Sequence, residues 1–142
     1  MNKTYKLPSE FEEIPNRMSD GDVVFWMKSN DVNWSFINMF KGFTSIRDET
    51  ISEWLNISVR TLRNYKKPEN RIKENIKEHI LLLLSLFKHG IEVFGSIENF
   101  NQWLNSENFY FDGLNPESFL NTISGIRFLD DRLTGMEYGD NA

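Results

Sequence analysis

The chain has 142 residues and a net charge of −5, room for one ordinary domain or two small ones. Hydrophobic residues make up 39% and aromatics 14%, with twelve Phe and four Trp, a composition that excludes a disordered chain. Cysteine is absent, which excludes disulfides, thiolate metal sites and a Cys nucleophile, and fits a cytoplasmic setting.

Residues 1–32 read as an irregular N-terminal extension punctuated by Pro8, Pro15 and Gly21. They contain no apolar stretch of signal-peptide length. Asp20-Gly21-Asp22 looks like a turn, and the run Val23–Met27 is too short to separate a strand from the edge of a helix. From Asn33 the pattern turns helical. Trp34, Ile37 and Phe40 mark one face of a short helix broken at Gly42. Asp48 reads as the N-cap of a second helix, with Ile51, Trp54 and Leu55 inward. Ser58 caps a third, whose Val59, Leu62 and Tyr65 face inward while Arg60, Thr61, Arg63, Asn64 and Lys67 face out. Pro68 ends it.

A long helix is predicted over roughly Ile72–Phe94, kinked or terminated at Gly90 or Gly95. Its run Ile80–Phe87, with Ser85 inside, is apolar nearly all round, so it is either central or buried by a partner chain. That run is far short of the ~20 residues that span a bilayer, so no membrane association is expected. Shorter helices follow over Ile97–Leu104, Pro116–Asn121 and Ser124–Leu133. The closing stretch from Gly135 to Ala142 carries too much Gly for a helix. The fold class expected is all-α: a helix-turn-helix bundle over 33–78, joined by the long helix to a small helical domain over 79–142.

Charge is unevenly placed. Ile57–Lys77 holds seven basic and two acidic residues, a local charge of +5, whereas residues 91–142 hold nine acidic and two basic, −7. The basic island falls on the second helix of the helix-turn-helix, where Arg60 and Arg63 can pair with guanine or phosphate and Asn64 with adenine. Ser58, Thr61, Lys66 and Lys67 complete the candidate DNA-binding set. No catalytic residue, metal or cofactor is expected. His79 and His89 are too far apart for ligand spacing and read as core-margin or surface residues. Asp130 and Asp131 diverge by ~100° on a helix, and no phosphate loop or nucleophile elbow is present.

Four elements from Ile80 onward stand in a familiar order: Glu92-Val93-Phe94-Gly95, Trp103-Leu104, Pro116 to Leu120, and Gly135-Met136-Glu137-Tyr138-Gly139-Asp140-Asn141-Ala142. Together they resemble the toxin-binding domain of the Xre/MbcA/ParS antitoxins. Leu55-Asn56-Ile57-Ser58-Val59-Arg60-Thr61-Leu62 is similar to the Xre-like helix-turn-helix of the same antitoxins. Met136 stands where that family carries Arg, and Asn56 where it carries Gly.

The resemblance implies a RES-domain toxin partner, an ADP-ribosyltransferase-like enzyme that consumes NAD⁺. It also implies a C-terminal tail that blocks the toxin's active site, with contacts from Arg132, Met136, Glu137, Tyr138, Gly139 and Ala142. Tyr138 is a flat anchor with a polar tip, and Glu137 is anionic, as suits a nucleotide pocket. The protein expected is a non-enzymatic antitoxin that also binds operator DNA as a homodimer or larger assembly. The rival readings are a stand-alone repressor with a dimerising or ligand-sensing C-terminal domain, and a small enzyme with an unrecognised site.

Overall fold

Apolar residues at helical spacing set the layout, and capping residues set where each helix begins. The computed structural model describes residues 9–139, which form helices and turns with no strand among the described residues. In chain order they are α1 (Ser9–Glu13), α2 (Asp20–Ser29), α3 (Trp34–Thr44), α4 (Asp48–Leu55), α5 (Val59–Asn64), α6 (Glu74–Phe94), α7 (Ile97–Leu104) and α8 (Ile123–Glu137). Two 3-10 turns, Phe109–Phe111 and Pro116–Phe119, lie between α7 and α8. The fold is all-α, as expected.

α6 is the axis. A helix that is apolar on all sides has to be covered on all sides, and α2, α3, α4, α7 and α8 pack against it. Every residue from Leu81 to Phe87 is at most 4% exposed within the single chain. This corrects the reason for expecting dimerisation there, since the chain itself covers the run. α6 continues through Gly90, where a Cβ would lie 2.4 Å from the Phe100 ring, so glycine is what lets α7 come close. It ends at Gly95, whose φ of 88° suits a glycine cap, and the chain bends by 105° into α7.

The irregular lead-in expected over residues 1–32 is helical over much of its described part. Ser19 and Asp22 form a reciprocal capping box, which starts α2 where a turn was expected and makes Val23–Met27 helix. Phe11, Ile14, Met18, Val23 and Val32 enter the same apolar cluster as α3–α8. Side chains of α6 and α8 hold this segment by its backbone. Lys88 donates to the Glu12 and Ile14 carbonyls at 2.6 and 2.7 Å, Ser85 to that of Pro15 at 2.7 Å, and Arg127 to that of Met18 at 2.9 Å.

Three further boundaries differ from expectation. α3 runs unbroken through Gly42 and stops at Ser45 in the left-handed region. Asp48 is the first residue of α4 rather than its cap, because its carboxylate turns to Lys41 at 2.5 Å and Arg63 at 3.1 Å. α8 runs on to Glu137, so Gly135 and Met136 form its last turn. Gly costs about 1 kcal/mol against Ala in a helix, but Ile126, Leu129 and Leu133 bury one face of α8 against α6. Each such side chain contributes roughly 1.5–3 kcal/mol, and the packing wins. Among the described residues no single helix is long and apolar enough to cross a membrane.

Candidate functional site

The α4–α5 pair is built by local signals. Asn56 ends α4 with φ of 58°, the left-handed position that Asn tolerates better than most residues. The Ile57 N–H then closes onto the Ser52 carbonyl at 3.0 Å. Ser58 caps α5, its Oγ accepting from the Thr61 N–H at 3.0 Å. Asn56 also donates its side-chain amide to the Asn121 carbonyl at 2.9 Å, which ties this turn to the segment entering α8. Leu62 and Tyr65 point inward, and Arg60, Arg63, Asn64, Lys66 and Lys67 are exposed, with Thr61 half-buried.

The basic residues differ in what already holds them. Arg63 pairs with Asp48 at 3.1 Å and reaches Glu49 at 3.8 Å. Lys66 lies over the Trp34 ring, 5.5 Å from its centroid. Among the described residues Arg60 and Lys67 make no ion pair. The hydrogen bond from Lys41, with Arg63 behind it, outweighs partial burial and holds the Asp48 carboxyl below its ordinary value. Beside α5 opens a cleft of about 610 Å³, walled by Trp34, Tyr65, Lys66, Lys67, Asn70 and Arg71. A cationic cleft with aromatic walls beside an exposed Arg/Asn/Lys face can take a phosphate backbone and present side chains to base edges.

At the other end, the residues expected to meet a toxin do not form one exposed set. Arg132 is buried, with its guanidinium 3.8 Å from the centroid of the Tyr110 ring. Met136 is half-buried against the core. Tyr138 caps α8 and is 86% exposed, and Gly139 follows with φ of 98°. Ala142 lies outside the described residues.

Glu137 turns back onto His89, which the sequence placed at the core margin or surface and the structure buries completely. The imidazole Nδ1 faces the Asp130 carboxylate at 2.6 Å and its Nε2 faces Glu137. Two carboxylates can only accept, so both ring nitrogens are satisfied when both carry protons. Burial opposes that charge, but the bonds to Asp130 and Glu137 outweigh it and raise the His89 pKa above its ordinary value. Arg17 stands behind Asp130 at 3.5 Å. His79 is also buried, but it faces the Leu120 carbonyl at 2.9 Å, and burial lowers its pKa.

Sequence reasoning missed His89 with its two partners, because the two carboxylates stand 41 and 48 residues away on another helix. It also missed the exposed aromatics at Phe109, Tyr110 and Phe128. The signal for the first two was present: an aromatic triplet, Phe109–Phe111, set among Asn, Asp and Gly, which are loop-forming residues. Among the described residues no group of His, Asp and Glu is placed to hold a metal ion.

No curated protein matches the chain significantly. Residues 89–139, which span the end of α6, α7, both 3-10 turns, α8 and Tyr138, match the family model of the antitoxin Xre/MbcA/ParS C-terminal toxin-binding domain, and over this segment the chain is similar to the antitoxins of toxin–antitoxin pairs.

Proposed function

We propose that the protein neutralises a RES-type, NAD⁺-consuming toxin through residues 79–142 and represses its own operon through the helix-turn-helix within 33–78. It does so without catalysis of its own, in the cytoplasm. The observation that carries the first part is the exposed end of α8. Tyr138 stands almost fully in solvent at the close of the segment that matches the toxin-binding model, followed by Gly139 with a positive φ. An exposed aromatic at the C-cap of α8, followed by a glycine, fits insertion into a cleft. Co-purification with the product of the neighbouring gene, followed by an NAD⁺-loss assay, tests this. Stoichiometric inhibition is expected, and a neighbouring product that neither binds nor is inhibited would overturn it.

The exposed Arg60, Asn64 and Lys67, beside the Trp34 cleft, support the second part. Two copies on two operator half-sites fit this mode of recognition. Their contact would use a surface other than Leu81–Phe87. If ligand-responsive operator binding were found in the absence of any protein partner, the stand-alone repressor would replace the antitoxin.

A further inference from the structure

An ordered loop between α7 and α8 holds apolar side chains out in solvent. Phe109 is 99% exposed, and Tyr110, Leu114 and Phe128 are exposed beside it. The loop is closed around buried Asn108. Its Oδ1 accepts from the Tyr110 N–H at 2.8 Å, and its carbonyl accepts from the Phe111 and Gly113 N–H groups at 3.0 and 2.9 Å. Its own N–H donates to the Leu114 carbonyl at 3.2 Å. Phe111 is the inward anchor, with ring centroids 6.0 Å from Trp103 and 5.5 Å from Phe128. Arg132 clamps the Tyr110 ring from below. Single exposed aromatics are ordinary, whereas several on a loop pinned in place form a surface whose ordering cost on binding is already met.

We propose that this knuckle of Phe109, Tyr110, Leu114 and Phe128 is where the body of the toxin docks, seating Phe109 and Tyr110 in an apolar cleft with a basic rim. The inference rests on the antitoxin reading above and adds a second contact to the tail. Two observations select this occupant. The whole knuckle lies inside the segment that matches the toxin-binding domain. The loop that carries it is acidic, with Glu107 and Asp112 exposed, while Arg127 on α8 is turned to the Met18 carbonyl and Asp20. A second copy would set acid against acid, whereas a partner with Lys and Arg around its cleft would be attracted. The tail needs such help, because a stable interface buries ~800 Å² per partner and a few terminal residues do not supply it.

The test is calorimetric titration of the full chain with the protein encoded by the neighbouring gene. Phe109→Ser and Tyr110→Ser should each weaken Kd by roughly 30-fold or more. Phe25→Ser, which alters another exposed Phe on α2 outside the matched segment, should bind like wild type. Phe109 contributes almost no buried surface, so its variant should melt like wild type. Wild-type binding with Phe109→Ser equally tight would overturn the knuckle and leave the antitoxin reading standing. Equal loss in Phe25→Ser would also overturn it. Failure of wild type to bind would overturn the antitoxin reading and this inference with it. A wild-type dimer that Phe109→Ser dissociates would make the surface a contact between copies instead.

Discussion

His89 shows what one buried side chain asks of its surroundings. Its folded pKa is raised, so its contribution to stability is complete below the ordinary histidine value of about 6.5 and is lost as pH rises through the folded value. The groups facing it are Asp130 and Glu137, with Arg17 behind Asp130. Thermal melts of wild type should therefore fall from pH 6 toward pH 9, and His89→Gln should flatten that slope; a wild-type melt that rises over the same range would contradict the assignment. On α5 the contrast between Arg60 and Arg63 yields a second expectation. Arg60→Ala should cost about 1–3 kcal/mol of operator binding and relax specificity at one position. Arg63 already spends its guanidinium on Asp48, so its removal should also lower stability. Lys67→Ala should reduce the salt slope by about one ion and weaken all sequences alike, as gel-shift titrations over a range of salt would read.

Among the elements, helices with a clean apolar stripe and a Ser cap were legible before any coordinates. α5 starts at its Ser58 cap and α7 spans Ile97–Leu104, where the spacing puts them. α5 closes at Asn64 rather than at Pro68, however, and leaves Lys66 and Lys67 in the turn that follows. Boundaries failed where tertiary packing overrode a local signal. Gly42 and Gly135 read as breaks but sit in helices, and Asp48 reads as a cap but is drawn to Lys41 and Arg63. Gly90 is the sharpest case, since its role depends on a ring ten residues away. Gly90→Ala gains about 1 kcal/mol of helix propensity. Its Cβ, however, would meet Phe100, itself fixed among Phe87, Phe94 and Trp103. Overpacking costs typically 1–3 kcal/mol, so a net loss of stability is expected on urea denaturation; a more stable Gly90→Ala protein would mean that α7 moves freely.

For the molecule as a whole, the N-terminal segment changes most between sequence and structure. No local pattern marks Phe11 and Ile14 as core, yet both are fully buried, and Lys88 and Arg127 hold the backbone around them. Deleting residues 1–18 should destabilise the protein by several kcal/mol, since each large buried side chain lost costs about 2–5 kcal/mol. A truncated chain with an unchanged melting temperature would show that the segment is dispensable. The charge asymmetry, by contrast, was legible throughout: a basic face on α5 and an acidic C-terminal third. On the proposed reading these serve two partners, and the residues after α8 block the toxin. The most direct measurement is NAD⁺ loss by the toxin in the presence of a chain ended after Glu137, which keeps α8 and the knuckle and removes Tyr138 onward. The account predicts that this chain still binds the toxin and operator DNA but no longer inhibits. Full inhibition by the shortened chain would contradict it.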